Sequence, residues 1–149
     1  MQIIKNQSIS AYNLLHYTSK IKKTDILKLI KFMLDNIHVL NLETSGNVIF
    51  SLKNSGSEQV CFEILIPVHG KVENCQQFEY RSSFELSNAV LLRHEGRIED
   101  LDKTTKKLKE FVRSNNYTCQ NGPYYIMVQR DDNDNNCIID VYIDVKYNN

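Results

Sequence analysis

No sign of charge dominates this sequence. Eighteen basic residues stand against eighteen acidic ones, so there is no global field to gather nucleic acid or an anionic membrane. No apolar run approaches the roughly 20 residues that a membrane-crossing helix needs. The N-terminal stretch MQIIKNQSISAYNLL breaks its apolar residues with Asn, Gln and Ser, and so lacks the hydrophobic segment of a secretory leader. Cysteine is scarce: Cys61, Cys75, Cys119 and Cys137 contain no CxxC pair and are too few for a disulfide framework. Reduced thiols in a cytoplasmic protein are therefore expected, with neither nucleic acid nor membrane as a partner.

Signatures of cofactor chemistry are missing as well. His16, His38, His69 and His94 are scattered without metal-ligand spacing. No Gly-rich phosphate loop, Gly-x-Ser-x-Gly elbow or paired metal motif occurs. Asp132-x-Asp134-x-Asn136 imitates the start of a calcium loop, but Cys137 replaces the required Gly and Ile143 the closing Glu. Neither a metal nor another cofactor is expected.

What is present is an ordinary globular composition, 42% hydrophobic and 24% charged over 149 residues, enough for one continuous core without staples. From Thr24 to about His38, Ile26, Leu29, Ile30, Met33, Leu34 and Ile37 recur at three- and four-residue steps, which predicts an amphipathic helix with Thr24 as N-cap. A second stripe, Ile98, Leu101, Thr105, Leu108, Phe111 and Val112, predicts another from about Arg97 to Asn115. Its outer side carries Lys103, Lys106, Lys107 and Lys109, a solvated face by default.

Each helix follows a strand-like run, SISAYNLLHY or SNAVLLRHE, and precedes two more. These later runs are NVIFSLK with EQVCFEILIPV and PYYIMVQR with NCIIDVYIDVKY, joined by the turn-rich KNSGS and DDNDNN. The order β-α-β-β thus occurs twice. Gly46 aligns with Gly122 at a shift of 76 and Ile66 with Ile143 at a shift of 77. The expectation is one α+β domain over 1–149, mostly antiparallel. Its first half covers about 1–70, a linker about 71–81 and the second half about 82–149, related by a pseudo-twofold duplication.

The segment HEGRIEDLDKTTKKLKEFVRSNNYTCQNGPYYI resembles the GyrI-like, or effector-binding, superfamily of SOUL-like duplicated folds. The resemblance lies in His94-x-Gly96, the acidic start of the second helix and Gly122-Pro123-Tyr124-Tyr125, with Phe62–Val68 similar to the strand that closes the first half. It spans nearly the whole chain and implies a bacterial small-molecule-binding protein, with a groove between the halves for bulky, often cationic or hydrophobic ligands. Many members sit beside a helix-turn-helix region, but the two halves and linker use up this sequence. Members often place a glutamate straight after the Gly-Pro-x-Tyr tyrosine; here Ile126 stands there, which puts the usual cation chemistry in question.

Strand alternation offers a separate test. In the closing strands one face, Val60, Phe62, Ile64, Ile66 and Val68 with Cys137, Ile139, Val141, Ile143 and Val145, reads as core. The opposite face holds Cys61, Glu63 and Leu65, and Ile138, Asp140 and Tyr142. Extending the alternation to neighbouring strands assigns Ile49, Tyr125 and Met127 to this mixed face, and Tyr124, Ile126 and Val128 to the core. The ligand-contact candidates are thus Glu63, Tyr125, Tyr142, Asp140, Ile49, Leu65 and Met127, with His94 added from its family-like position, where stabilising a turn is its other role. A mixed face suits a pocket in which a carboxylate among rings could meet a cation; it also suits a solvated sheet surface.

Three functions compete. A stand-alone binder of an amphipathic or cationic small molecule leads. A protein-interaction or inhibitor module could use the same groove or the basic helix face. A small hydrolase would use Glu63 and Tyr125 for acid–base work, although no spacing shows the tuned geometry such work needs; catalysis is the weaker reading. Oligomeric state is not legible.

Overall fold

In a computed structural model, residues 2–54, 58–74, 77–131 and 135–147 are described. The tips of both expected hairpin turns, the calcium-like Asp132 and Asp134, and Cys75 lie outside them. The chain is α+β. Its strands are β1 (Ile3–Lys22), β2 (Glu43–Thr44), β3 (Ile49–Asn54), β4 (Gln59–His69), β5 (Glu79–Arg97), β6 (Tyr117–Asp131) and β7 (Asn136–Tyr147). The helices are α1 (Ile26–Asn36) and α2 (Leu101–Ser114). Apart from the two-residue β2, this is β-α-β-β twice over, as the sequence predicts. The chain forms two compact units, Ser10–Phe84 and Met1–Ile9 with Glu85–Asn149, so the first nine residues join the unit built from the second half.

In the Ser10–Phe84 unit, β4 is the middle strand. It pairs antiparallel with β1 over Leu14–Lys22, with β3 over Ile49–Asn54 and with β2 at Thr44 and Glu43. The α1 stripe is buried at Ile26, Leu27, Ile30 and Met33, and burial continues to Ile37 in the following 3-10 turn. β1 kinks just before its ladder with β4 begins: Asn13 takes a left-handed φ of 56°, a conformation Asn tolerates better than other side chains with a Cβ. Its Nδ2 donates to the carbonyls of Val68 at 2.7 Å and Gly70 at 2.9 Å, which ties the kink to the end of β4.

In the other unit, β7 is central, flanked by β5 over Ala89–Arg97 and by β6. Helix α2 buries Leu101, Thr104, Thr105, Leu108 and Val112. The β6 ladder shifts register at three places, between Cys119 and Asn121, Asn121 and Tyr124, and Met127 and Gln129.

Both helices open through a 3-10 turn, Lys23–Asp25 and Ile98–Asp100, with no side-chain capping hydrogen bond. Thr24 therefore does not cap α1; the backbone tightens there and makes Asp25 the boundary residue.

The core face expected of the closing strands is buried along its whole length, while the other face is buried only in part, at Leu65 and Pro67 of β4 and at Asp140, Tyr142 and Asp144 of β7. Val60, Phe62, Ile64, Ile66 and Val68, and Cys137, Ile139, Val141, Ile143 and Val145, are all buried. Burial pushes the Cys137 thiol up to about 11, whereas Cys119 is exposed. Iodoacetamide at pH 8 followed by peptide mapping is thus expected to modify Cys119 at least tenfold faster than Cys137, because the thiolate is the nucleophile. Equal rates would contradict the placement of Cys137 in the core.

Candidate functional site

Paired residues on adjacent strands share a face, so the register sorts the mixed face of the Ser10–Phe84 unit into rows. The first row is His16, Leu65 and Ile49, the second Thr18, Glu63 and Ser51, the third Lys20, Cys61 and Lys53. Successive rows stand about 7 Å apart, two residues along a strand. Leu65 and Ile49 are buried. The other two rows line a cavity of about 320 Å³, together with Ser19 and Phe62. Along the strands the face thus passes from His16 beside two buried apolar side chains, through hydroxyl and carboxylate, to ammonium groups.

Glu63 stands in the middle row, its side chain 29% exposed. His16 Nε2 donates to Glu63 Oε2 at 2.8 Å, and Ser51 Oγ donates to Oε1 at 3.3 Å. On its other side His16 Nδ1 lies 3.6 Å from the largely exposed Glu79 carboxylate. Both oxygens of Glu63 are therefore engaged before any ligand arrives. His16 was not singled out in the sequence as a partner, because only the register shows that it stands one row from Glu63.

On the mixed face of the other unit, Asp140 is buried and takes a two-point ion pair from Arg93, Nε to Oδ1 at 2.8 Å and Nη2 to Oδ2 at 3.1 Å. The two residues are cross-strand partners. Asp140 is thus not a solvated carboxylate, and the chain itself supplies it with a cation. Tyr142, cross-strand from Leu91 and Tyr124, is also buried on this face. Arg93, Asp140, Leu91 and Glu95 border a second cavity of about 520 Å³ with Gln2 and Ile4. Arg93→Gln is expected to destabilise the protein, because it leaves a buried carboxylate without its cation; urea melts of the variant and the parent measure this.

Two candidates are not where alternation assigned them. Tyr125 pairs with Val141 and Met127 with Ile139, which puts both on the core face, under α2. The Tyr125 hydroxyl meets Thr105 Oγ1 of α2 at 3.1 Å. Conversely, Tyr124 and Ile126 pair with Tyr142 and Asp140 and belong to the mixed face, and Val128 is exposed. Burial raises the pKa of the Tyr125 phenol, and that of Tyr142, with the Asp140 charge adding to it. Both stay protonated near neutral pH. With Tyr125 bonded to a helix on the core side, the hydrolase reading loses its acid.

His94, a candidate from its family-like position with a turn-stabilising role as the other reading, pairs with Ile139 and is buried on the core side. Its Nε2 lies 2.8 Å from the Arg97 carbonyl and its Nδ1 2.7 Å from Thr104 Oγ1. A carbonyl only accepts, so Nε2 donates to Arg97, while Nδ1 is bonded to the Thr104 hydroxyl. Both nitrogens are spent on closing the β5–α2 turn, and none is left for a ligand.

Among the described residues no cluster of His, Cys, Asp and Glu could hold a metal ion, and no helix is long and apolar enough to cross a membrane.

The chain resembles EcmrR in the cryo-EM structure of an EcmrR–DNA complex, with a TM-score of 0.83 at 14% identity; the likeness covers 99% of this chain and 58% of that one. Against the crystal structure of the EcmrR C-terminal domain it covers 99% of this chain and 100% of that one, at a TM-score of 0.71 and 14% identity. A hydrolase from Listeria innocua gives 0.55 at 12% identity, covering 95% and 93%. At such identities the likeness is one of fold. No curated protein matches the chain in sequence. A family model does match, over residues 12–147, and the chain belongs to that family, the domain of unknown function DUF5085.

Proposed function

We propose that this chain is a small-molecule-binding protein of the GyrI-like type, taking an amphipathic ligand on the mixed face of its Ser10–Phe84 unit. The observation that carries the reading is the cavity of about 320 Å³ there, in which Glu63 between the hydroxyl residues Thr18 and Ser51, and Cys61 between Lys20 and Lys53, stand with Phe62. Ligand pockets combine apolar burial with a few fixed polar groups in this way. Glu63 is the carboxylate of this cavity, and Asp140, already paired with Arg93, is structural. The chain shares its fold with the EcmrR C-terminal domain, and the resemblance of its motifs to the GyrI-like family supports a ligand-binding role by analogy. Balanced charge and free thiols support a cytoplasmic setting and a partner other than nucleic acid.

A thermal-shift screen with cationic, neutral and anionic amphiphiles tests this. A ligand at a hundred times its Kd adds about 2.7 kcal/mol to stability, so at least one class is expected to raise Tm by several degrees. Cys61→Phe, which fills the cavity, is expected to abolish the shift while leaving a cooperative melt. A screen in which no class moves Tm, or in which Cys61→Phe leaves the shift intact, overturns the assignment.

A further inference from the structure

We infer that the ligand of the Ser10–Phe84 cavity carries a single negative charge, held by the row Lys20–Cys61–Lys53; the inference rests on that cavity being the ligand site. Lys20 and Lys53 are the cross-strand neighbours of Cys61, one on each side. Their backbones are therefore two strand spacings apart, roughly 10 Å, and both side chains rise from the same face at the cavity. Cys61 itself is half-buried between them. Lysine side chains are long enough to converge from that distance on one oxyanion above Cys61, and the row between them contains no carboxylate.

The neighbouring carboxylate does not fill this place. Glu63 accepts from His16 at 2.8 Å and from Ser51 at 3.3 Å, on its two separate oxygens. Among the residues that line the cavity, two ammonium groups against one carboxylate leave one positive charge in excess, which one carboxylate, sulfonate or phosphodiester head would balance. A cation would meet two like charges and an acid that already has its donors. Thr18, beside Glu63 and lining the same cavity, offers a hydroxyl to the part of the ligand next to its head. Lys22, two residues beyond Lys20 on β1 and paired with Gln59, extends the positive rim on that face. The expected occupant is a small amphiphile with an oxyanion head, the opposite sign from the cationic ligands suggested by family resemblance.

Calorimetric titration with three probes of one chain length, octanoate, octanol and octyltrimethylammonium, decides the matter. Octanoate is expected to bind at least tenfold more tightly than octyltrimethylammonium, and its affinity to fall as salt screens the lysines. Lys20→Gln with Lys53→Gln is expected to weaken octanoate at least tenfold and to leave octanol unchanged; Lys→Arg at both positions restores it. All these positions are exposed, and an unchanged melt of each unliganded variant confirms that folding is unaffected. Octanol binding with no preference for the anion, or a preference for the cation, overturns the charge assignment and leaves the cavity as a ligand site. Failure of all three probes to bind overturns both.

Discussion

Phe62→Ala is expected to lower the unfolding free energy by about 4 kcal/mol, the usual cost of removing a fully buried aromatic ring, and Tm by roughly 12 °C for a chain of this size. Phe62 is 1% exposed, and its ring centroid lies 5.7 Å from that of Phe50 at an interplanar angle of 40°. The substitution therefore loses transfer free energy, ring–ring contact and packing around the void together. The surrounding core, with Phe50, Ile64 and Ile66 all effectively inaccessible, leaves little room for collapse.

The informative comparison is with Glu63→Gln, one residue along the same strand. That change touches only the opposite face, where a partly exposed carboxylate gives up one charge-assisted hydrogen bond, and it is expected to cost no more than about 1 kcal/mol. Urea denaturation of both variants measures the difference. A cost below about 1 kcal/mol for Phe62→Ala, or a larger one for Glu63→Gln, would mean that the core and mixed faces of β4 are exchanged.

The faces of β4 and β7 were legible in the sequence because each strand alternates between uniformly apolar and mixed positions, and burial on a sheet imposes that pattern. The helices were legible for the same reason at a period of 3.6. β6 was not. Tyr124, Tyr125, Ile126 and Met127 are apolar or aromatic at both parities, so alternation alone gives no phase, and three register shifts against β7 break any extrapolation from the neighbouring strand. The Tyr125 hydroxyl suggested a wet face; on the core side Thr105 satisfies it instead. The partners of the two candidate carboxylates were hidden for a related reason. Arg93 is 47 residues from Asp140 and His16 47 from Glu63, and only the register of β5 with β7 and of β1 with β4 brings each pair together. Sequence periodicity tells which way a side chain points, but not which strand lies beside it.

The glycines show the same limit and carry the second large effect. Gly46 and Gly122 correspond in the aligned halves, but they differ in conformation. Gly122 has φ +114°, and a Cβ there would stand 3.0 Å from the Tyr142 carbonyl oxygen; at Gly46 the nearest atoms are 3.5 Å away, on the Pro67 side chain. The most demanding site is Gly70, just beyond β4. Its φ is +115°, and an added Cβ would fall 2.9 Å from the Asn41 carbonyl oxygen and 2.9 Å from Leu42 Cδ2. The first of these is backbone, held by a left-handed Asn41 at φ 59°, and Asn13 grips the Gly70 carbonyl from β1, so the turn has little freedom to yield. Gly70→Ala is thus expected to destabilise by about 3 kcal/mol, the upper range for forcing a side chain into such a backbone conformation. Gly46→Ala, at an exposed position in ordinary contact, is expected to be neutral or to stabilise by about 0.5 kcal/mol through the unfolded chain. If the two variants melt together, the left-handed turn that anchors the end of β4 against Asn41 is not formed in solution.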